Sequence, residues 1–463
     1  MTDILLLSAA ELSGLLRQKA LSPLELLEAT LIRAEAIQPQ LNPFCLLDAE
    51  RARDAARASE RRWSEARPLS VLDGIPIAIK DNQAVAGQPC GFGSRAFDPL
   101  HPVSEDAPHV ARLREAGAIL YGRTTMPDLA WKAVTDSPRT GITRNPWDPA
   151  LTPGGSSGGS AVAVATGCGP IATGSDGGGS IRIPAAFTGI FGIKPTSGRI
   201  PGISESPDIS AIGPLARTVA DAALALSIMC RPDDSDPLAS ALHVPDFVAE
   251  AGRGVAGLRV AVSATFGQAR IDPSRLGPLE AAARALSDAG ARVDYADPPA
   301  FDIRQSYVTV CEVAFGAVVA RMAAQSMALL DPGLLDTARR GMMTSATIER
   351  RAQLDRIGLM RVLIKFLNEY DLVVTPCVPI PPFRAGLNVN TPDEAVYPEW
   401  YDWTPYTWVF NAAKLPAAAC PWGLDAAGLP QALQLSAAHF REDLILRASA
   451  VLEAAMPFPR VKL

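Results

Sequence analysis

The chain has 463 residues, and its 43 Lys and Arg against 49 Asp and Glu give a net charge of −6. This charge argues against a nucleic-acid-binding face and a polybasic membrane anchor, which both need clustered positive charge. Hydrophobic residues make up 48% of the chain, which excludes a disordered protein.

Three further features predict a cytoplasmic protein without a membrane segment. The seven Cys are dispersed without a C-x-x-C pair, as in proteins with reduced thiols. No window of 18 residues is free of charged and strongly polar side chains, and Asp3 and Glu11 argue against an export signal. The most apolar window, residues 313–330, is predicted to be a core helix.

Residues 1–65 are predicted to be helical. Ser8 with Glu11, and Ser22 with Glu25, form capping-box patterns, and the second has Pro at the first helical position. Residues 49–63, dominated by Arg, Glu and Ala, predict a solvated surface helix.

From about residue 68, strands alternate with helices. The predicted strands are residues 74–80, 118–122, 170–173, 258–263, 293–296, 372–375 and 432–436. The predicted helices are residues 103–116, 158–166, a segment ending near 289, and 441–455. This alternation predicts an α/β fold with a mixed central sheet covered by helices on both faces.

The expected organisation is one large domain with four parts. Residues 1–65 form a helical N-terminal part and residues 66–230 a catalytic core. Residues 231–400 are a variable part that shapes the substrate pocket, and residues 401–463 return to the core. The acidic stretch 232–237 is the best candidate for an exposed break.

The chemistry is concentrated in two Gly/Ser loops, residues 153–160 and 174–182. The four His have no H-x-x-x-H spacing and the chain has no P-loop, so neither a metal nor a cofactor is expected. Three glycines, Gly177 to Gly179, lead directly into Ser180. Glycine allows backbone N–H groups to converge on one point, which predicts an oxyanion hole with Ser180 as the nucleophile.

A serine nucleophile needs a base. Residues 154–158 fit G-x-S-x-G, and His439 could complete an α/β-hydrolase triad, but three prolines stand where the preceding strand should be. Lys80 is the other candidate, because it ends an apolar strand and burial would lower its pKa. Taken alone, a lysine at a strand end is more often a surface residue whose ammonium reaches solvent.

Several segments of the sequence resemble the amidase signature family, the Ser-Ser-Lys amidohydrolases. The resemblance is carried by residues 73–82, 116–127, 143–147, both Gly/Ser loops, 192–199, 213–217, 410–411, 415–416 and 428–430. It covers nearly the whole chain and is strongest over residues 70–220.

The resemblance implies a catalytic triad. Lys80 matches the family's catalytic lysine, Ser156 the bridging serine that follows a cis peptide, and Ser180 the nucleophile. The N–H groups of Gly177, Gly178, Gly179 and Ser180 match the oxyanion loop. Gly177 departs from the bulkier residue usual at its position, which would leave the chemistry intact and widen or loosen the loop.

Four neighbouring polar residues are given structural roles. Ser157 and Ser160 are predicted to cap a helix. Asp176 and Arg182 are predicted to pair and brace the oxyanion loop, with binding of a substrate carboxylate by Arg182 as the alternative.

The function expected from the resemblance is hydrolysis of an amide C–N bond through an acyl-enzyme, with carbamates and esters as further substrates. The alternatives are the catalytic subunit of a tRNA-dependent amidotransferase and, in another class, a non-catalytic binding protein on the same fold. The expected partner is a small-molecule amide or carbamate, with no nucleic acid or membrane. A monomer and a homodimer both stay open.

Seven of the fourteen residues 397–410 are aromatic, against 6% of the chain. These rings either pack the core or line the mouth of the substrate pocket. The second interpretation names Trp400, Trp403 and Trp408 as candidate pocket residues. It predicts a preference for aryl or bulky apolar amides, including anilides.

Overall fold

The computed structural model describes residues 3–97, 100–202, 209–267, 272–389 and 399–462. In these ranges no helix combines the length and the hydrophobicity that crossing a membrane requires. Of the aromatic stretch 397–410, Tyr397 lies outside the described residues.

A mixed sheet of eleven strands occupies the centre of the described structure. The strands in chain order are β1 (Phe44–Leu47), β2 (Pro76–Lys80), β3 (Ile119–Thr124), β4 (Asp136–Ser137), β5 (Gly141–Ile142), β6 (Ile171–Asp176), β7 (Phe191–Lys194), β8 (Ala211–Ala216), β9 (Arg259–Val262), β10 (Arg292–Tyr295), β11 (Leu372–Pro376), β12 (Ala417–Leu424) and β13 (Pro430–Ser436). The order across the sheet is β1-β3-β2-β6-β8-β7-β12-β13-β11-β9-β10, and β4 pairs with β5 separately. The β3-β2-β6 and β11-β9-β10 groups are parallel, and the remaining pairs of the large sheet are antiparallel.

Helices surround this sheet. In chain order they are α1 (Ala9–Arg17), α2 (Pro23–Leu41), α3 (Ala49–Ser64), α4 (Pro108–Glu115), α5 (Gly158–Ala165), α6 (Arg182–Thr188), α7 (Val219–Met229), α8 (Phe247–Ala251), α9 (Leu276–Asp288), α10 (Arg304–Val319), α11 (Ala324–Met327), α12 (Pro332–Met343), α13 (Ala346–Glu369), α14 (Trp408–Ala412) and α15 (Glu442–Ala455).

Both faces of the sheet are buried. Successive strand residues point to opposite faces, so they enter different hydrophobic clusters. In β2, Ala78 belongs to one cluster, whereas Ile77 and Ile79 belong to the other. Val373 and Val374 of β11 are divided in the same way. The predicted α/β fold, a single domain with helices on both faces of a mixed sheet, is confirmed.

Several predictions that depend on residues adjacent in the sequence are confirmed. Both capping boxes form: Ser8 with Glu11 begins α1, and Ser22 with Glu25 begins α2. The helix predicted at 49–63 is α3, and it buries one narrow stripe that ends at Trp63. Each predicted strand is present within a few residues of its expected bounds.

Two predictions of secondary structure are wrong. The first 65 residues are not all helical, because β1 lies between α2 and α3 and pairs with the edge of β3. Residues 313–330 are not one helix: α10 ends at Val319, and the short α11 follows. The first error has a clear physical reason, since four residues form a strand here only because β3 offers an unpaired edge.

Candidate active site

Lys80 is the last residue of β2 and lies inside the sheet. β2 pairs with β3 on one side and β6 on the other, and the Lys80 side chain is completely buried. The alternative of a surface lysine is therefore wrong. Burial lowers the pKa of Lys80 to about 7 because the ammonium loses its hydration, and the nearby Asp176 carboxylate offsets this only in part. Near pH 7 the amine is available in its neutral form.

Three serine hydroxyls surround the Lys80 amine. Nζ lies 2.8 Å from Ser156 Oγ and 2.9 Å from both Ser157 Oγ and Ser175 Oγ. Ser157 Oγ donates its own proton to the main-chain oxygen of Ser175 at 3.2 Å, and Ser175 Oγ accepts from Asn82 Nδ2 at 3.0 Å. Ser157 Oγ is thus placed to accept from the amine, and Ser175 Oγ is within reach to accept from it as well. Because a neutral amine has two N–H groups and one lone pair, an arrangement in which Ser157 and Ser175 both accept leaves the lone pair for Ser156.

Ser156 lies in the first Gly/Ser loop, two residues before α5. The Gly155–Ser156 peptide bond is cis. Glycine is required at position 155 because a Cβ there would lie 2.5 Å from the main-chain carbonyl of Val134. This close packing holds Ser156 completely buried, against the amine of Lys80.

Ser157 and Ser160 do not cap α5, so that prediction is wrong. Ser157 occupies the N-cap position, but its side chain makes no capping bond and contacts Lys80 instead. Ser160 Oγ donates to the main-chain oxygen of Thr173 at 2.8 Å and lies 2.6 Å from Thr124 Oγ1. Both hydroxyls connect α5 to the neighbouring strands because those strands offer buried polar partners at closer range.

The second Gly/Ser loop begins where β6 ends, at Asp176. Ser180 in this loop is half-buried, whereas Ser156 is fully buried, so Ser180 is the more accessible of the two serines. The main-chain N–H of Ser157 donates to the main-chain oxygen of Ser180 at 3.0 Å. The two Gly/Ser loops are therefore in direct contact.

Each carbonyl from residue 176 to residue 179 accepts a hydrogen bond. The donors are Asn411 Nδ2 to Asp176 O (2.8 Å), Tyr307 Oη to Gly177 O (2.7 Å), Thr407 Oγ1 to Gly178 O (2.7 Å) and Ile183 N to Gly179 O (2.7 Å). The C=O and N–H of a trans peptide point in opposite directions. Each of these bonds therefore also fixes the direction of the N–H of the next residue.

Three N–H groups of this loop have no partner among the described residues and could donate to a ligand oxygen. Over the described ranges of the chain, the N–H groups of Gly177, Gly178 and Ser180 have no hydrogen-bond acceptor. The Gly179 N–H donates to Asp176 Oδ1 at 2.7 Å. The prediction that Gly179 contributes to an oxyanion hole is wrong, because its donor is already used within the loop.

The comparison with known proteins identifies the family. The model of the amidase family matches residues 25–446. The chain belongs to the amidase signature family. It is 34% identical to an acylamidase of Rhodococcus erythropolis, covering 98% of this chain and 96% of the relative. It is also 34% identical to a glutamyl-tRNA(Gln) amidotransferase subunit of Chloroflexus aggregans, covering 96% of each chain.

The fold comparison agrees with the sequence comparison. The crystal structure of a bacterial aryl acylamidase of the amidase signature family superimposes with a TM-score of 0.90 at 28% sequence identity. The match covers 97% of this chain and 96% of that one. The family resemblance inferred from the sequence motifs is confirmed.

Arg182 braces the second Gly/Ser loop from inside the protein. Its side chain is completely buried, and Nε and Nη2 bond the two carboxylate oxygens of Asp176, each at 2.9 Å. Nη1 donates to Thr407 O and Gln434 Oε1, and Nη2 also donates to Asn411 Oδ1. All five N–H groups are used. The alternative that Arg182 binds a substrate carboxylate is therefore wrong.

The Asp176 carboxylate remains ionised in this pair. Burial alone would raise its pKa, but the charge of Arg182 and its hydrogen bonds hold the pKa well below the usual range. An ionised Asp176 accepts from the N–H groups of Gly179 and Ile181. The salt bridge thereby fixes both ends of the turn that carries Ser180.

Trp403 and Trp408 are packing residues, so their assignment to a substrate pocket is wrong. Trp403 is completely buried between Phe187 and Phe383, and its Nε1 donates to Asn388 O at 3.2 Å. Trp408 donates from Nε1 to a main-chain oxygen at 3.1 Å and is also buried. Both indoles have neighbours on all sides because the segment turns inward to start α14.

Of these three indoles, Trp400 is the one that borders the second Gly/Ser loop at Gly178. A Cβ on Gly178 would lie 3.0 Å from the edge of the Trp400 ring. The ring is 8% exposed and packs on Tyr401 with a centroid distance of 3.9 Å. By position, Trp400 is the one candidate pocket residue that this structure retains.

The loop has free space beside Gly177. Among the described residues, a Cβ at this position would meet Ser210 alone, at 3.7 Å, which is ordinary van der Waals contact. None of the described neighbours requires glycine here, and the φ of Gly177 is not positive. The missing side chain therefore leaves this position of the second Gly/Ser loop uncrowded by the described residues.

Sequence reasoning missed Ser175, which contacts the Lys80 amine. It also missed three residues that hold the loop from a distance, Tyr307, Thr407 and Asn411. Asn411 stood in a segment that carries the family resemblance, and Ser175 stood inside the Gly/Ser loop, so both had a motif that could have identified them. Tyr307 lies in no such motif.

The hydrolase alternative with His439 as the base is not supported by the geometry. The ring Nε2 of His439 lies 3.1 Å from the main-chain oxygen of Ala413. The segment before residue 154 is irregular rather than a strand. Among the side chains that the structure describes, no three His, Cys, Asp or Glu come together as metal ligands.

Proposed function

We propose that this chain is a serine-dependent amidase with Ser180 as the nucleophile, Lys80 as the base and Ser156 as the proton carrier between them. The Ser180 hydroxyl gives its proton to Ser156 Oγ, while Ser156 gives its own proton to Lys80 Nζ. Ser180 Oγ attacks the amide carbonyl. The protons then return in the opposite direction, and Ser156 protonates the leaving nitrogen. Water hydrolyses the acyl-enzyme.

The hydrogen bonds around Lys80 carry this proposal. We assign the two N–H groups of the neutral amine to Ser157 and Ser175, and its lone pair to Ser156, whose Oγ is the nearest of the three at 2.8 Å. After protonation, the third N–H donates to Ser156. The ammonium then has one acceptor for each of its three protons. The site accommodates both protonation states without moving a heavy atom.

The loop supplies the electrostatic part of the proposal. A negative charge develops on the carbonyl oxygen as Ser180 attacks. The N–H groups of Gly177, Gly178 and Ser180 are oriented in advance by the bonds to the loop carbonyls, so they need no rearrangement during the reaction. Because these donors lie in the main chain, the proposal includes no metal or cofactor.

For the substrate, we propose aryl or bulky apolar amides, anilides among them, with carbamates and esters as chemically related substrates. The support is the Trp400 ring beside Gly178 and the room that the described residues leave at Gly177. The acylamidase of Rhodococcus erythropolis and the aryl acylamidase structure are similar over nearly their full lengths. Flat aryl groups gain most from a neighbouring indole.

The amidotransferase subunit is the second candidate, because the identity to that relative equals the identity to the acylamidase. Such a subunit would hydrolyse glutamine and act with a partner on a tRNA. The net charge of −6 gives no electrostatic support for tRNA binding. Purified chain that hydrolyses glutamine faster than an acyl-anilide would favour this candidate.

The test is labelling by a fluorophosphonate probe together with hydrolysis of an acyl-anilide. We expect the wild-type chain to be labelled on Ser180 and to release the aniline. Ser180→Ala should lose both properties while keeping its melting temperature. The exposed Ser64 provides the control, since Ser64→Ala should retain both. Label on another serine, or turnover by Ser180→Ala, would refute the assignment.

A further inference from the structure

Tyr307 holds the oxyanion loop from a part of the chain expected only to shape the pocket. It lies in the first turn of α10, and its Oη donates to Gly177 O at 2.7 Å across 130 positions of sequence. A Cβ added to Gly178 would lie 2.5 Å from the same hydroxyl. The hydroxyl therefore touches the peptide group between Gly177 and Gly178.

The ring of Tyr307 is immobilised by its neighbours. It stacks on Trp408 with a centroid distance of 5.0 Å and an interplanar angle of 21°, and Tyr401 meets it edge-on at 6.0 Å. Tyr307 is 1% exposed. Burial also raises its pKa well above the usual range, so the hydroxyl stays protonated and can donate at any working pH.

The consequence follows from the geometry of one peptide group. With its carbonyl held by Tyr307, the N–H of Gly178 must point the opposite way. Without that bond, Gly177 and Gly178 are two adjacent glycines, for which rotation of the peptide between them costs little. The Gly177 carbonyl could then turn toward the site and replace a donor with an acceptor.

We propose that Tyr307 is a positioning residue for catalysis: its hydroxyl fixes the Gly177–Gly178 peptide so that the Gly178 N–H faces the substrate carbonyl oxygen. This inference rests on the proposed acyl-enzyme chemistry at Ser180. It assigns a catalytic contribution to α10, which lies outside both Gly/Ser loops. Trp408 contributes indirectly, because its indole stacks on the Tyr307 ring and holds that ring in place.

The experiment compares Tyr307→Phe with Tyr121→Phe. Tyr121 is a matched control, since it is completely buried and its hydroxyl also donates to a main-chain oxygen, that of Cys168, at 2.5 Å. Tyr307→Phe should lower kcat for an acyl-anilide about 10–100-fold and leave KM within about twofold. Tyr121→Phe should keep kcat within about twofold of the wild type. All rates are measured well below the lowest melting temperature.

The inhibition constant of phenylboronic acid distinguishes a positioning role of Tyr307 from a purely structural one. Boron forms a tetrahedral adduct with the nucleophile and places an oxygen in the oxyanion hole. Tyr307→Phe should weaken this inhibition by about the factor lost in kcat, because both depend on the same N–H. The Ki of Tyr121→Phe should equal that of the wild type.

A second variant keeps the proposal testable if Tyr307→Phe does not fold. In Gly178→Ala the new methyl group would lie 2.5 Å from the Tyr307 hydroxyl and 3.0 Å from the Trp400 ring. We therefore expect the same loss of kcat and of boronate affinity as in Tyr307→Phe, together with a higher KM from the displaced Trp400 ring. Unchanged kcat in either variant, or a higher KM with unchanged kcat, would overturn the proposal. Ser180→Ala tests the acyl-enzyme separately. If Tyr307→Phe keeps full activity while Ser180→Ala is inactive, the positioning role of Tyr307 is refuted and the proposed function stands.

Discussion

The pH dependence of the reaction tests the role of Lys80 most directly. Only the neutral amine can accept a proton, so activity should rise as the pH rises through the pKa of Lys80. With a pKa of about 7, half of the lysine is neutral at pH 7 and about 1% at pH 5. With an ordinary pKa of 10.5, only about 0.03% would be neutral at pH 7, and activity would still be increasing at pH 9.

The assay is kcat/KM for an acyl-anilide from pH 5 to pH 9.5, at constant ionic strength. We expect a rise of about tenfold per pH unit below pH 6.5 and a plateau above about pH 8. Lys80→Met should lower the plateau by about 10²–10⁴-fold and remove the inflection near pH 7. A profile that is flat from pH 5 to pH 9, or an inflection that persists in Lys80→Met, would refute lysine as the base.

Lys194 is the matched control for this experiment. It is also completely buried, burial lowers its pKa to about 7, and its Nζ donates only to a main-chain oxygen, that of Pro195, at 3.0 Å among the described contacts. Lys194→Met should therefore keep the inflection near pH 7. If Lys194→Met loses the inflection and Lys80→Met keeps it, the base has been assigned to the wrong lysine.

Three other predictions concern residues around the loop. Trp403→Ala should lower the unfolding free energy by about 3–5 kcal/mol and leave KM nearly unchanged, whereas Trp400→Ala should raise KM for an acyl-anilide. If the two variants have equal effects on denaturation and on KM, the different positions assigned to the two rings are contradicted. Arg182→Met should lower the free energy of unfolding, measured by chemical denaturation, by about 3–5 kcal/mol, because it leaves the buried Asp176 carboxylate unpaired. A variant as stable as the wild type would contradict the role of Arg182 as a brace. Gly177→Ala should keep kcat within about tenfold of the wild type, because the described residues leave room for its Cβ. Gly179→Ala should be inactive, because the φ of Gly179 is +122° and its Cβ would lie 2.5 Å from a threonine hydroxyl. A lower kcat in Gly177→Ala than in Gly179→Ala would contradict these loop contacts.

Short-range patterns determined much of this protein from sequence alone. The Ser8 and Ser22 capping boxes and the apolar run ending at Lys80 depend on residues that lie next to each other in the chain. The two Gly/Ser loops could be assigned for the same reason, since glycine spacing acts within a few residues. Such segments predict Ser180 and suggest Lys80, whereas Ser156 is implied only by the family resemblance.

Contacts between distant segments were decided only by the tertiary structure. β1 forms only because it can pair with the edge of β3. The burial of Trp403 depends on Phe187, more than 200 positions earlier in the chain, and on Phe383, 20 positions earlier. The aromatic composition of a segment measures how much it gains from burial, but not which neighbours will bury it. Sequence therefore could not separate Trp400 from Trp403.

The second Gly/Ser loop, the proposed oxyanion loop, shows the same difference between local and distant contacts in its single hydrogen bonds. Its glycines are visible in the sequence, but the direction of each N–H depends on what the opposite carbonyl bonds. Those partners, Tyr307, Thr407 and Asn411, lie 130 to 235 positions away. The sequence determined which residues can form the loop, and the folded chain determined which N–H groups are left to act, because peptide orientation is fixed by donors that only folding brings together.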